Sequence, residues 1–388
     1  MGGEGKRMFV KINAILISLC ILLWLAAFSP KDREEQPELS LSASGAILME
    51  QGSGRVLYDQ NSDVPARIAS ITKIMTAIVA IESGKLDETV TVSKTAVMTE
   101  GSSIYLKVGE KIKLEDLLYG LMLRSGNDAA NAIAEHVGGS VEGFVFLMNQ
   151  KAQEIGMRQT VFSNPTGLDD HENHYSTPYD MALLTRYAMN NDTFKEIAGT
   201  KAYTVDREDG KARWKNKNRL LTEKYQHTTG GKTGYTKRAG RTLVTTASKN
   251  GMDLISVTLN ASDDWNDHIS MYEYGFDHFE IKQLLPKGEL FNVEGLPDNK
   301  QLFVKHDVHY PLQNTEVDHI KIKYRLLSRE DLKKMKEGQA GEAVFYFQND
   351  VVRTIPIYVK ELDHDKDKSW WQTFKNLFFT QTGVKIND

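Results

Sequence analysis

The sequence predicts an α+β fold: an antiparallel sheet with helices, followed by a smaller all-β domain and a C-terminal amphipathic helix. Three observations carry this. Strand-like runs lie at both ends of the first domain, at residues 43–50 and 55–58 and again at 242–247 and 254–259. Helix-spaced apolar runs lie between them, so the terminal strands can share one sheet. After Phe279 the helical spacing gives way to short strand-like runs.

With 388 residues, 40% hydrophobic and 26% charged, the chain is ordinary globular material, enough for two domains. A net charge of −4 argues against a nucleic-acid binder. Lys6, Arg7 and Lys11 precede an apolar run over residues 12–28, broken only by Asn13 and Ser18, and Ser29-Pro30 follow. A basic start, a short apolar core and small residues near its end predict a secretory signal peptide over residues 1–29. An uncleaved anchor is the alternative. Cys20 is the single cysteine and lies in this segment. Leu19 before it is not the small residue that a lipidation site needs, and the mature chain has no thiol for a disulfide. Residues 30–40 form a polar linker.

The first domain covers residues 41–279. Gln51-Gly52-Ser53-Gly54 joins its first two strands as a hairpin. Ala69-Ser70-Ile71-Thr72-Lys73 then opens an apolar run that Gly84 ends, a buried helix with Ser70 in its first turn. Residues 90–92 and 104–108 read as short strands or loops. Residues 114–123 are helical and lead through Arg124-Ser125-Gly126-Asn127-Asp128 into a second helix that stops at Gly138-Gly139. Residues 141–155 form another helix, with Phe144, Phe146, Leu147 and Met148 offered to the core. Asn164-Pro165-Thr166-Gly167-Leu168 begins a turn-rich loop that runs to His174, and Thr177-Pro178 starts a helix. Thr229-Gly230-Gly231-Lys232-Thr233-Gly234-Tyr235 precedes two strands joined by Asn250-Gly251, a strong hairpin signal. Residues 280–361 form the β-rich domain. A charged linker and an amphipathic helix, residues 362–388, end the chain. Trp370, Trp371, Phe374, Leu377 and Phe378 recur there at helical spacing, which suits an in-plane membrane anchor better than a packed helix.

Ser70 and Lys73 share one helix face, so the amine can reach the hydroxyl. Serine is a poor nucleophile until a base takes its proton, and a neutral lysine can do that. The helix N-terminus favours negative charge developing at Ser70. A Ser-x-x-Lys alone is weak, because about one is expected by chance in a chain this long. Here Ser70-x-x-Lys73, Ser125-Gly126-Asn127 and Lys232-Thr233-Gly234 follow in one order, the first and last each occurring once. The other Ser-x-Asn, residues 248–250, falls in the hairpin turn.

This ordered set resembles the penicillin-binding protein and serine β-lactamase superfamily. Leu123-Arg124-Ser125-Gly126-Asn127-Asp128, Asn164-Pro165-Thr166-Gly167-Leu168, Tyr175-Ser176-Thr177 and Gly231-Lys232-Thr233-Gly234-Tyr235-Thr236 resemble the low-molecular-weight D-alanyl-D-alanine carboxypeptidases. Residues 120–140 and 168–177 look most like the sporulation-type member acting on spore-cortex peptidoglycan. The resemblance implies a penicillin-binding protein-like catalytic domain that removes the terminal D-alanine from pentapeptide stems. It also implies covalent capture of β-lactam antibiotics on Ser70, and no cofactor or metal. Lys73 would take the Ser70 proton, kept neutral by like-charge repulsion from Lys232. Ser125 would relay a proton to the leaving amine, and Asn127 would bond the substrate amide. Lys232 and Thr233 would meet the terminal carboxylate. Gly234 would admit the substrate to the strand edge. Backbone N–H groups of Ser70 and Tyr235 would form the oxyanion hole. The resemblance places the protein outside the cytoplasmic membrane, held peripherally by its C-terminal helix, with the peptidoglycan stem, β-lactams and the membrane surface as partners.

One departure stands out. Many members carry an arginine after the last strand, where this chain has Leu259-Asn260-Ala261-Ser262-Asp263, and Arg241 is not at a matching position. His171 and His174, beside Asp169, Asp170 and Glu172, suit a hydrogen-bonded loop better than a metal site. A Ser–His–Asp triad is disfavoured by the lack of a Gly-x-Ser-x-Gly elbow. The rivals are a β-lactamase using Glu172 for deacylation, and a silent wall-binding protein, against which the intact motif residues speak.

Overall fold

The computed structural model describes residues 39–361 apart from 291, 292, 294, 295 and 298. The expected signal peptide and the expected C-terminal linker and helix lie outside the described residues. Among the described residues no helix is long and apolar enough to cross a membrane.

The strands at the two ends of the first domain do close one sheet. β1 (Ala43–Glu50) and β2 (Val56–Gln60) come first, and β3 (Thr228–Thr236), β4 (Gly240–Lys249) and β5 (Met252–Ala261) come last. Their order is β2-β1-β5-β4-β3, with β1 antiparallel to β5 in the register Ile47↔Val257. Asn250 and Gly251 both take positive φ (53° and 79°), as the tight β4–β5 turn requires. β3 is a full edge strand, although its sequence does not read as one. Gly230, Gly231 and Gly234 lower its strand propensity, and pairing with β4 supplies what the composition lacks.

Ser70 lies in a 3-10 turn, Ala69–Thr72, that runs straight into α1 (Lys73–Glu82), so the α-helix proper starts at Lys73. The reason is Ala69, whose φ of 49° breaks the helical path before the serine. Ile74 to Ile81 are all buried, which is why this helix is apolar all round. The helix Leu114–Tyr119 passes into a π turn, Gly120–Arg124, before α2 (Asn127–Gly138). α3 (Val141–Ile155) buries Phe144 and Met148, but Phe146 is 69% exposed and does not join the core. α4 (Pro178–Ala188) is capped by Thr177 Oγ1, which accepts from Asp180 N at 3.0 Å. Thr89–Thr91 pairs with Lys111–Lys113 rather than with residues 104–108. That segment is irregular because buried Asp128 takes its amides: Ile104 N and Leu106 N each donate to Oδ2 at 3.1 Å.

α5 (Asp264–His278) has a weak sequence signal, because the first part of its buried face is polar, Asp264, Asp267 and His268, before Met271, Tyr272 and Tyr274 continue it. It covers the sheet face opposite α1. His268 Nδ1 lies 2.6 Å from Thr245 Oγ1, and its Nε2 lies 3.0 Å from Thr258 Oγ1.

The β domain has its own core, which includes Leu302, Ile320, Phe345, Ile357 and Val359. Its sheet runs β6 (Gly288–Leu290), β7 (Lys300–Val304), β10 (Asp350–Glu361), β9 (Gly338–Phe347) and β8 (Ile320–Leu326). Arg55 ties it to the first domain. Its guanidinium pairs with buried Glu316, donates to Pro311 O, and stands over the rings of Phe279, Tyr310 and Phe347.

Candidate active site

Ser70, Lys73, Ser125, Asn127 and Lys232 come together in one hydrogen-bonded group drawn from three separate stretches of chain. Lys73 Nζ lies 3.2 Å from Ser70 Oγ and 2.7 Å from Asn127 Oδ1, and it also donates to Thr166 O. Two of these three partners are carbonyl oxygens, which only accept. They take two N–H bonds of the amine and turn its third position toward the Ser70 hydroxyl. In the neutral amine that third position is a lone pair. The side chain is fully buried, and its pKa is pushed well below the usual lysine value of 10.5. Burial is the main cause, followed by the charges of Lys232 and Lys217, with Asp128 acting in the opposite sense.

Lys232 reaches in from β3. Its Nζ donates to Ser125 Oγ at 3.0 Å and to Thr233 O at 2.7 Å. Burial, then the charge of Lys217, bring its pKa down to about 7. Ser125 closes the π turn in the left-handed conformation (φ 63°, ψ 35°), which aims its hydroxyl at Lys232. Such a conformation in a residue with a side chain is strain that surrounding structure must hold.

Asn127 commits both ends of its carboxamide within the protein. Its Oδ1 accepts from Lys73, and its Nδ2 donates to Glu100 O at 2.6 Å. In this state it orients the lysine, and the second N–H of Nδ2 remains for a substrate carbonyl. Gly234 also has a nearer reason to be glycine than the substrate. An added Cβ would stand 2.3 Å from Thr242 Oγ1 and 2.9 Å from Ser70 N, so the strand and the serine turn are in close contact there. Thr233 pairs with Leu243, so its side chain takes the α5 face and meets the cleft only over the free edge of β3. Tyr235 is 66% exposed, at the rim. The unpaired edge of β3 is open to an extended peptide.

Arg241 and Thr242 are neighbours on β4 and so face opposite ways. Thr242 Oγ1 donates to Ile68 O at 2.8 Å, on the Ser70 side. Arg241 turns to α5, where Nε and Nη2 lie 3.0 and 2.6 Å from Asp264 Oδ1. It therefore sits on the wrong side of the sheet to serve the cleft.

Sequence reasoning did not place three supports of this site. Thr166 supplies a carbonyl, a role that no side-chain motif can announce. Asn164 holds that turn: its Oδ1 accepts from Thr166 N at 3.1 Å and from Gly167 N at 2.7 Å. A Cβ on Gly167 (φ 84°) would fall 1.9 Å from Ala69 O, so the loop and the serine turn are packed backbone to backbone. His174 is the third. Its Nδ1 accepts from Ser163 N at 3.1 Å, so Nε2 carries the proton and donates to Thr72 Oγ1 at 2.8 Å. Thr72 in turn donates to Ala69 O at 2.8 Å. Burial lowers the pKa of His174 to about 4, so it stays neutral as a strut beneath the serine turn. Glu172, the candidate base of the β-lactamase reading, is held by Arg238 and Arg67 at 2.8 and 2.6 Å. Those bonds, Arg238 first, lower its pKa and weaken it as a base.

Comparison with known proteins follows the same lines. Residues 31–263 match the family profile described as D-alanyl-D-alanine carboxypeptidase, and residues 279–364 match that of the penicillin-binding protein 5 C-terminal domain. The chain is 32% identical over 378 residues to D-alanyl-D-alanine carboxypeptidase DacF of Bacillus subtilis (strain 168), which covers 94% of this chain and 96% of that protein. It is 33% identical to DacC of Escherichia coli (strain K12), over 86% of this chain and 87% of that one. Among solved structures, penicillin binding protein 5 from Haemophilus influenzae superposes with a TM-score of 0.70 at 27% identity, covering 83% of this chain and 98% of its own.

Proposed function

The chain belongs to the D-alanyl-D-alanine carboxypeptidase family, and from that premise we propose how its residues divide the reaction. Ser70 Oγ attacks the carbonyl carbon of the terminal D-Ala-D-Ala peptide bond while its proton passes to Lys73 Nζ. The backbone N–H groups of Ser70 and Tyr235 receive the developing oxyanion. The tetrahedral carbon then expels the terminal D-alanine, whose nitrogen takes, relayed through Ser125, the proton that Lys73 received. An acyl-enzyme on Ser70 remains. Water attacks its ester, the shortened stem leaves, and Ser70 regains its proton. Lys232 and Thr233 hold the terminal carboxylate, and Asn127 orients Lys73.

The observation that carries this reading is the seat of Lys73. Two carbonyl acceptors take N–H bonds of the amine, full burial lowers its proton affinity, and its remaining position faces the Ser70 hydroxyl. β-Lactams, which present a strained amide to the same atoms, would acylate Ser70 and stay. The test is mass spectrometry of the protein lacking residues 1–29, incubated separately with penicillin and with a peptide ending in D-Ala-D-Ala. A lasting penicilloyl adduct on Ser70 with released D-alanine is the expected result. Fast drug hydrolysis without peptide cleavage would assign the chain to the β-lactamases instead.

The substrate places the work outside the cytoplasmic membrane. The basic-apolar start of the chain supports a signal peptide over residues 1–29, and the aromatic spacing around Trp370 and Phe374 supports an in-plane anchor. Deleting residues 369–388 should release the processed protein from the membrane fraction. The likeness of residues 120–140 and 168–177 to sporulation-type members supports action on spore-cortex peptidoglycan.

A further inference from the structure

The leaving group of the proposed reaction carries a carboxylate, so the cleft needs positive charge that persists at working pH. Lys73 is spoken for, because its amine is committed to Ser70, Asn127 and Thr166 and burial lowers its proton affinity. Lys232 supplies part of it, with two N–H bonds already given to Ser125 and Thr233. Arg241 is tied to Asp264 behind the sheet, and Asn260-Ala261-Ser262-Asp263 at the end of β5 holds no cation.

One further lysine is built into the cleft wall. Lys217 N donates to Leu123 O at 3.1 Å, two residues before Ser125. The next residue, Asn218, reaches β3, where its Nδ2 donates to Gly230 O at 3.4 Å, two residues before Lys232. The backbone of Lys217 is thus pinned between the stretches that carry the Ser125–Lys232 pair. Its Nζ donates to Ser102 Oγ at 3.1 Å, and Ser102 O accepts the amide of Asn127 at 2.6 Å. The Lys217 side chain is exposed to solvent, among the described residues no carboxylate pairs with it, and a single hydroxyl leaves two of its N–H bonds unassigned. An ammonium fixed at its backbone beside the Ser125–Lys232 pair, with two N–H bonds open to solvent, can give them to an anion that enters the cleft.

We propose that Lys217 is a specificity-determining residue that binds the carboxylate of the leaving D-alanine together with Lys232 and Thr233. The proposal rests on the carboxypeptidase reading and adds a residue that no motif announces. Its charge also acts on the rest of the site, since it contributes to lowering the proton affinity of both Lys73 and Lys232.

The test compares a peptide ending in D-Ala-D-Ala with the same peptide ending in the C-terminal amide. The variants are Lys217→Met and Lys217→Arg, each checked by thermal unfolding. Loss of one charge-assisted contact should lower kcat/KM for the acid about ten- to fiftyfold, mainly through KM, and for the amide no more than about threefold. Lys217→Arg should restore most of the preference for the acid. Equal losses on acid and amide, or no loss on either, would overturn the assignment. Should Lys217→Met fail to fold, Lys217→Gln is read by the same ratio. A wild-type protein that releases no D-alanine would sink the carboxypeptidase reading itself, before any variant is compared.

Discussion

Replacing Lys232 by methionine should make the protein more stable while abolishing its activity. The magnitude follows from burial. The lysine is fully buried and its pKa falls from 10.5 to about 7 on folding. Between those values the unfolded chain holds a proton that the folded chain lacks, so the lysine costs stability in that window. At pH 7 the cost is about 4 kcal/mol. Methionine of similar length removes it but also removes the N–H bonds to Ser125 Oγ and Thr233 O, worth about 1 kcal/mol each. The net gain is about 2 kcal/mol, or roughly 5 °C in Tm for a domain of this size. The sign with pH is fixed as well. Wild-type stability should climb from pH 7 toward pH 10.5, because the unfolded chain loses its extra proton over that range, and the variant should lack this slope. Its advantage is therefore largest at neutral pH and shrinks in alkali. The assay is urea unfolding of both proteins from pH 7 to 10. A variant less stable than wild type at pH 7, or an advantage that does not shrink with pH, would refute the reasoning.

Gly167→Ala places a methyl 1.9 Å from Ala69 O at a φ of 84°, so the serine turn must move. Acylation by labelled penicillin should slow at least about a hundredfold, since small misplacements of a nucleophile have costs of that order. Asn127→Ala unpairs one N–H of Lys73 and the carbonyl of Glu100, so it should slow acylation about ten- to a hundredfold, measured by the same label, and lower stability by about 2 kcal/mol. Acid should destabilise the fold. The pKa of His174 is depressed on folding, so stability is lost as pH falls from about 6.5 to about 4, by roughly 3 kcal/mol, and His174→Asn should flatten that limb in unfolding titrations. Arg55→Leu leaves buried Glu316 without its cation and should destabilise the β domain by about 3–5 kcal/mol, seen as a separate early transition in calorimetry.

The chemistry of this chain was legible where it resides in side chains at fixed offsets. Ser70 and Lys73, Ser125 and Asn127, and Lys232 each sit in a short motif, and the two ends of the sheet show as strand pairs with an Asn-Gly turn. Three kinds of feature were not legible. Thr166 acts through a carbonyl that every residue has. β3 is hidden by its glycines, which are there because Gly234 touches the Ser70 turn. α5 is hidden because its inward face mixes polar and apolar residues: His268 and Tyr272 satisfy Thr245, which interrupts the hydrophobic period that Met271 and Tyr274 would mark. The assigned role of Gly234 shows the same limit. Its need for glycine was read as room for substrate, and the nearest neighbours are Thr242 and the backbone of Ser70.

A lysine base raises a question that a histidine would not: what keeps it unprotonated near neutral pH? Burial alone lowers Lys73, but burial also lowers Lys232, and a neutral Lys232 would hold a carboxylate poorly. The two demands are reconciled by the order in which charge arrives. A substrate carboxylate beside Lys232 favours its protonated form. A charged Lys232 in turn depresses Lys73 further, because the two like charges repel. Binding therefore sharpens the division between a cation that holds the substrate and a neutral amine that takes the Ser70 proton. The coupling is reciprocal, so a protein acylated at Ser70, with Lys73 freed of its partner hydroxyl, should bind free D-alanine with altered affinity. An amide-terminated peptide lacks the carboxylate that begins this sequence. Its acylation should depend on pH through Lys73 alone and reach its plateau at higher pH than that of the acid.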